Sequence, residues 1–591
     1  MRTVASLTER EPAAPESNPA ATRPRLDPWV LRLAIALTLA PLVVSAINLS
    51  VRYGNGHQPV GDLAMTELVT RDVGRHAVLI GPFSRDGWHH PGPAMYYLLA
   101  VPYRLLGSTA TAMHVGALAV NAASIAGIAV VARRRAGDAL MLISLVGCAL
   151  LMRSLGPDEL RLPWNPYVTV LPYALLVFLT WALMCRDRWA LPLAVLVASY
   201  VAQTHIGYVL LALPLLVVGA AWLVGSTAVD ARRGAPDASR DDASAPAVRS
   251  LVAPSLTAVA VAVVMWLPPL LQQLTNEPGN LGIALKWFRY GGLGNEAPQG
   301  LLPGWRVVTA QFGLPPEWLF GSRGVGFTSE PVYLHEPMAP VLLLAVAGAA
   351  LLLLRCRPAG AGRLVGLWLL ASVAGVVATA RTVGPVYGYR IGWSLVLGMV
   401  AGLLVAWAGW LAVTARRPRL ERPVLVPVSL VGLALLAVVG SVAHVRAGEP
   451  LGDQSTRVGE IMADVVGGLP RGDGDVLVDG PPSFEGAVYV PAIVLQLERR
   501  GIGGLVAEGD RAAGEHRMYD GRALRAHLLV AVGVDIAEVE AQPGMTMLAY
   551  TGDATLAEVR AHAAEGTPAP PGSGLAVFLV APAPAGSPGE T

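Results

Sequence analysis

From about Leu31 to His444 the chain is a succession of long apolar runs separated by shorter polar segments. A bilayer core about 30 Å thick takes roughly 20 apolar residues in a helix. Eleven stretches approach that length: 29–51, 109–132, 138–155, 166–185, 189–204, 206–225, 251–273, 337–354, 364–381, 391–414 and 424–444. The first is too long for the core of a signal peptide and lacks a convincing cleavage site, so it is expected to remain as an anchor. After about residue 445 the periodicity changes. "DVLVDG" at 475–480 alternates as a strand does, 486–500 repeats as a helix does, and "LLVAVGV" (528–534), "MTMLAY" (545–550) and "LAVFLVA" (575–581) are strand-like again. Strands alternating with helices predict a small α/β domain over 445–591.

Charge gives the ladder a direction. Arg133, Arg134 and Arg135 follow the second stretch, and Arg186 and Arg188 the fourth. Arg232, Arg233, Arg240 and Arg249 follow the sixth, Arg355, Arg357 and Arg363 the eighth, and Arg416, Arg417, Arg419 and Arg422 the tenth. Every one of these loops comes after an even-numbered stretch. The positive-inside rule puts them, and the N-terminus, in the cytoplasm, and an odd number of spans leaves the C-terminus outside. The prediction is a multi-pass protein of the cell membrane: a disordered cytoplasmic tail (1–28), a transmembrane domain of about eleven helices (29–444) and an extracytoplasmic α/β domain (445–591). The loop 226–250, rich in Ala, Asp, Ser and Pro, reads as a cytoplasmic linker.

Composition agrees. Of 591 residues, 53% are hydrophobic and 15% charged, against about 25% charged in an average soluble domain. A net charge of +2 with no basic tract argues against a nucleic-acid partner. Cys148, Cys185 and Cys356 fall in or beside apolar runs and form no CxxC, so neither a disulfide framework nor a zinc site is indicated.

The outward loops are of another kind. Residues 52–108 and 274–336 are long and mix His, Trp, Tyr, Asp and Glu with apolar residues, as folded segments at a membrane interface do. Gly61-Asp62 opens a helical pattern with Met65, Leu68, Val69 and Val73 on one face, which would lie on the bilayer boundary and hold Asp62 near the headgroups. Asp62 also suits an N-cap for amides at Ala64 or Met65, and Glu67 and Asp72 suit solvated helix positions. In "GPFSRDGWHHPGP" (81–93), turn chemistry accounts for the glycines and prolines but not for Arg85, Trp88, His89 and His90. An arginine fork beside headgroups suits a phosphate, while Trp88, Tyr96 and Tyr97 suit interfacial anchoring. The two histidines, with Asp62 or Glu67, are a candidate set for a divalent metal ion; no other cofactor is indicated. Farther along, Asn165-Pro166 can start a helix, and His205 sits at an outer turn between two spans. Lys286 and Arg289 lie in "PGNLGIALKWFRYGG" (278–292), and Tyr387 and Arg390 in "YGYR" (387–390).

The long first outer loop with an early acidic residue, the span count and the outer soluble domain together resemble the GT-C glycosyltransferases. That superfamily includes protein mannosyltransferases, the aminoarabinose transferase acting on lipid A, and mycobacterial arabinosyltransferases. "FSRDGWHHPGPAMYYLLAVPYRLLG", "WNPY" (164–167) and "QTHIGY" (203–208) add to the likeness, which covers about 29–440. Where the family pairs Asp with Glu, Asp62 is here followed by Leu63. The resemblance implies inverting transfer of a sugar from a polyprenyl-phosphate donor to a cell-envelope glycan, lipid or protein acceptor on the outer face, with membrane lipids as surroundings. It implies Asp62 as the general base. Arg85, His90, Lys286, Arg289 and Arg390 are the candidates for the donor phosphate, and Glu67, Trp88, His89, Asn165, His205 and Tyr387 for the rest of the substrates. A transporter of a small or lipid-linked solute, or a non-catalytic scaffold, would share the span count. Against transport stand the absence of an internal repeat and the few charges within the spans.

Overall fold

The computed structural model describes residues 26–54, 56–84, 86–233, 240–290, 297–321, 340–417, 421–449, 451–481, 483–507 and 512–581. Arg85 and most of the N-terminal tail therefore lie outside the described residues, as do parts of the 274–336 loop. In chain order, α1 (Pro28–Arg52) leads into a segment folded as α2 (Gly61–Asp72) and α3 (Ala94–Leu105). Six long helices follow: α4 (Ala110–Ala136), α5 (Asp138–Arg161), α6 (Val170–Met184), α7 (Ala190–Thr204), α8 (Val209–Arg233) and α9 (Arg240–Thr275). The next segment carries α10 (Asn280–Tyr290), α11 (Leu301–Ala310) and α12 (Glu317–Phe320). Then come α13 (Leu342–Cys356), α14 (Ala361–Ala380), α15 (Trp393–Arg416) and α16 (Glu421–Arg446).

Eight helices among the described residues are long and apolar enough to cross a membrane. The other three predicted spans are α6, α7 and α13, apolar helices of 15 residues each. At 1.5 Å per residue these reach only about 22 Å. α6 is nonetheless buried almost all round, as a helix at the centre of a bundle is. The predicted 226–250 linker is largely helical, since α8 runs to Arg233 and α9 starts at Arg240.

The two ends of the bundle differ. At one end Arg135 pairs with Asp187, Arg133 with Asp138, and the Trp181 indole donates to Gly360 O, so loops following even-numbered predicted spans meet there. Loops following odd-numbered spans meet at the other end, together with the C-terminal domain. α5 breaks near that end: Gly156 takes φ 81°, which an L side chain resists, and Pro157 restarts the helix.

The C-terminal domain opens with α17 (Gly452–Gly467), followed by β1 (Asp475–Asp479), α18 (Phe484–Arg499), β2 (Gly504–Val506), β3 (Leu524–Val532), α19 (Asp535–Glu540), β4 (Met545–Thr551), α20 (Leu556–Ala564) and β5 (Leu575–Val580). The strand order is β2-β1-β3-β5-β4. β1 is parallel to β2 and β3, while β5 is antiparallel to β3 and β4. The four predicted strands are present, and β2 is an addition.

α2, which the periodicity places on the bilayer boundary, packs against protein on two sides. It is held between two bodies. Val60, Ala64 and Leu68 belong to the same core as Tyr489, Ile493 and Leu497 of α18. On the opposite side Leu63 packs with Leu162, Trp164 and Tyr167 of the membrane domain. The helix is apolar on two faces because it has two partners.

Candidate functional site

Asp62 is not the cap of its helix: Val60 occupies that position with no side-chain bond. Its carboxylate points instead to the loop before α6, where Oδ2 accepts the Trp164 indole N–H at 2.8 Å. Asp62 keeps a solvent-open surface although protein surrounds the carboxyl on nearly every side. It therefore lines a recess. Burial raises its pKa above the usual aspartate value, and the Trp164 bond opposes the rise without cancelling it. The Tyr96 hydroxyl is pushed well above its ordinary range by burial and by the nearby Asp62 charge.

Aromatic contacts carry the recess onward from Asp62. Trp164 lies 4.9 Å from Tyr389 between ring centroids, Tyr389 stacks on Tyr387 at 5.4 Å, and the Arg390 guanidinium sits 5.6 Å from the Tyr387 ring centre. Tyr387, Tyr389 and Arg390 come from the turn before α15 and Trp164 from the loop before α6, so loops distant in sequence converge here.

The histidine loop is pinned to the end of α7. Gly81 N–H donates to His90 O and His90 N–H to Pro82 O, while Gly92 N–H reaches Gln203 O. A Cβ on Gly81 would come within 2.6 Å of the backbone Gly92 O, so that position needs glycine, and one on Gly92 would come within 2.3 Å of the Gln203 side chain and displace it. His90 then stacks on His205 with centroids 4.7 Å apart. His90 Nδ1 accepts the Ile206 N–H at 3.1 Å and His205 Nδ1 accepts that of Gly207 at 3.2 Å, which leaves the proton of each ring on Nε2. Burial first, then His205, His89 and Arg390, holds His90 far below the ordinary histidine value. Burial, with Arg390 adding, lowers His205 to about 3. Both rings are neutral hydrogen-bond donors at pH 7. The cation beside this pair is Arg390.

The remaining candidates are placed as follows. Trp88 is buried and packs on His90, Trp287 and Phe288, joining α10 to the histidine loop. His89 turns away from His90: its backbone exchanges two hydrogen bonds with Asn280, and its Nδ1 meets Gly81 O at 3.1 Å. Burial lowers His89 to about 4, with the Gly81 bond opposing. Asn165 is buried with Nδ2 3.5 Å from Thr204 O, and α6 starts five residues later, so it is not that helix's N-cap. Lys286 and Arg289 are exposed on α10, and Arg289 lies over Tyr290. Glu67 is fully buried away from the recess, where Arg499 and Tyr103 occupy its carboxylate. That makes it a structural ion-pair partner rather than a surface facing substrate.

One described cluster has the composition to coordinate a metal ion: Asp72, His76 and His516, whose ligand atoms lie within 4.8 Å of one another. It joins the first loop to the C-terminal domain and does not include Asp62. Both Asp72 oxygens are bonded to Arg517, and the two imidazoles stack nearly parallel at 3.8 Å. Stacked rings aim their lone pairs side by side, so chelation would require them to turn. The expected set of His89 and His90 with Asp62 or Glu67 does not gather, because adjacent residues of an extended segment face opposite ways. The sequence pattern gave Tyr96 only an anchoring role and did not single out Trp164 or Tyr389, although these two stand inside the quoted "WNPY" and "YGYR".

No protein-family model and no curated protein matches the sequence. Solved structures do match. ArnT from Cupriavidus metallidurans bound to undecaprenyl phosphate superposes with a TM-score of 0.51 at 14% identity, over 93% of this chain and 98% of that one. The same protein in its apo state gives 0.51 at 13% identity, over 93% and 97%. The apo oligosaccharyltransferase of Archaeoglobus fulgidus gives 0.41 at 11% identity, over 86% and 70%, an overlap too low to argue from. The chain thus shares the fold of ArnT over nearly the whole of both molecules.

Proposed function

We propose that this protein is an integral-membrane, inverting glycosyltransferase with eleven spans. It takes a sugar from a polyprenyl-phosphate donor and passes it to a cell-envelope acceptor on the outer face. The observation that carries the reading is the Asp62 carboxylate in a solvent-open recess, in the same wall as Arg390 and a neutral histidine pair. ArnT, whose fold this chain shares, has been captured with undecaprenyl phosphate; a lipid phosphate of that class suits a recess at the membrane surface.

In the proposed step an acceptor hydroxyl oxygen attacks the anomeric carbon as its proton passes to Asp62. The bond from that carbon to the phosphate oxygen breaks, and its electron pair leaves with the polyprenyl phosphate. Arg390 offers the leaving phosphate a bidentate fork, and the Nε2–H groups of His90 and His205 offer neutral donors. Tyr387, Tyr389 and Trp164 give the sugar aromatic faces. Asn165, beside Thr204, supports the turn that presents His205.

The test is transfer from a panel of polyprenyl-phosphate sugars by the purified full chain in nanodiscs, followed as release of polyprenyl phosphate. Donor-dependent release that Asp62→Asn abolishes is expected; absence of release with every donor and acceptor fraction opposes the reading. The orientation has its own test. A reporter that is active only outside the cytoplasm, fused after residue 591, should be active, and a silent reporter would invert the ladder.

A further inference from the structure

The proposed reaction leaves the C-terminal domain without a task, yet that domain grips the helix that carries Asp62. Glu67, with 0% exposure, accepts from Arg499 Nε at 3.0 Å and from Nη2 at 2.6 and 2.7 Å. The remaining Arg499 nitrogen donates to Gln58 just before α2, and the Tyr103 hydroxyl of α3 closes on Glu67 Oε1 at 2.9 Å. At the far end of α2, Arg517 donates to both Asp72 oxygens at 2.7 and 2.8 Å while Glu498 holds its other edge. Two forked pairs from one domain thus meet two carboxylates of one helix, around an apolar seam of Val60, Ala64 and Leu68.

We infer that Arg499 is a positioning residue for Asp62: by clasping Glu67 it fixes the rotation and height of α2, so that the Asp62 carboxylate stays on the Trp164 indole in the recess. The role of base rests on the function proposed above; the clasp itself does not. The geometry favours this over simple domain attachment. Seating the domain could be left to the apolar seam, whereas a bidentate pair with a fully buried carboxylate specifies angle as well as contact. Glu67 is five residues from Asp62, about 7.5 Å along a helix axis, so α2 transmits a shift at one as a rigid rod. Misplacing a catalytic group by 1 Å can cost on the order of 10²-fold.

One experiment reads position without catalysis. In a full-length background carrying Cys148→Ala, Cys185→Ala and Cys356→Ala, Asp62→Cys becomes a reporter for a water-soluble maleimide. Adding Arg499→Lys, which keeps the charge and loses the fork, should change its labelling rate at least about fivefold, and Arg499→Ala more. A second reporter, Tyr387→Cys, lies in the recess but not on α2, and its rate should stay within about twofold. An unchanged Asp62→Cys rate, or an equal change at both reporters, overturns the inference. In a transfer assay with Asp62 intact, Arg499→Lys should lower kcat roughly tenfold with KM within twofold. If the wild-type chain shows no transfer, the function proposed for Asp62 fails, while the labelling result still decides the clasp.

Discussion

Replacing Asp62 by asparagine separates its chemistry from its place in the fold. The side chain keeps its size, and its Oδ1 can still accept the Trp164 indole N–H that Asp62 Oδ2 accepts at 2.8 Å. α2 should therefore stay seated. Burial already disfavours the charged carboxylate, so a neutral amide should leave the melting temperature at pH 7 unchanged or raise it. Transfer is another matter. General-base help contributes about 10²–10⁴-fold, and at about 1.36 kcal/mol per decade its loss adds roughly 3–5 kcal/mol to the barrier. The pH dependence gives a second signature. The base acts deprotonated, and burial has raised its pKa, so the rate of the wild-type protein should fall on acidification at a pH above the ~3.9 of a free aspartate. Trp164→Phe removes the bond that favours the charged form, so it should move this acidic limb to still higher pH, and in Asp62→Asn the limb should vanish. The assay is initial-rate release of polyprenyl phosphate at saturating donor across pH 4.5–8.5, with a melting curve on each variant. Asp62→Asn retaining more than about a third of wild-type activity, or a limb that ignores Trp164→Phe, would show that this carboxylate is not the base.

Arg390→Gln should raise KM for the donor by on the order of 10–100-fold, with Arg390→Lys recovering part of the loss, because lysine returns a point charge without the fork; unchanged donor saturation would remove Arg390 from the phosphate site. Arg517→Met leaves Asp72 and Glu498 without their shared partner, and stranding buried carboxylates costs about 3–5 kcal/mol. For a unit the size of the C-terminal domain that is a fall of about 10 °C in melting temperature, which differential scanning fluorimetry on the full chain would detect. Stability should also fall on acidification. His89 and His205 are lowered to about 4 and about 3, so the unfolded chain binds more protons below its own histidine pKa of about 6.5. Glu449 acts in the same direction at lower pH: burial would raise it, but bonds from His57 and Ser455 bring it below the ordinary value. A melting temperature constant from pH 7.5 to 4.5 would contradict this assignment.

What the sequence made legible follows from the range of the forces involved. Each predicted span has a helix because a run of apolar residues reports its own surroundings, and the four predicted strands are present for the same local reason. The site was legible only in pieces. Asp62 stood out as the early acid of the first outer loop, His90 because turn chemistry does not call for it, and His205 and Arg390 as ionisable residues in outer loops. Their grouping depends on loops that meet only after the bundle closes. What the pattern could not name were partners far away in sequence. A helix such as α2, apolar on two faces, reads alone as an interfacial helix, because periodicity counts faces and does not name what covers them. Glu67 looked like a substrate ligand for the same reason: its guanidinium stands 432 positions later, at the end of α18, where an arginine is unremarkable as helix-terminal charge. An acid in the first loop therefore carries no role until its cation is known. Glu67 and Asp72 have theirs in the C-terminal domain, whereas Asp62 is met by an indole, a partner that restrains a carboxylate without neutralising it, and that difference distinguishes a base from a clasp.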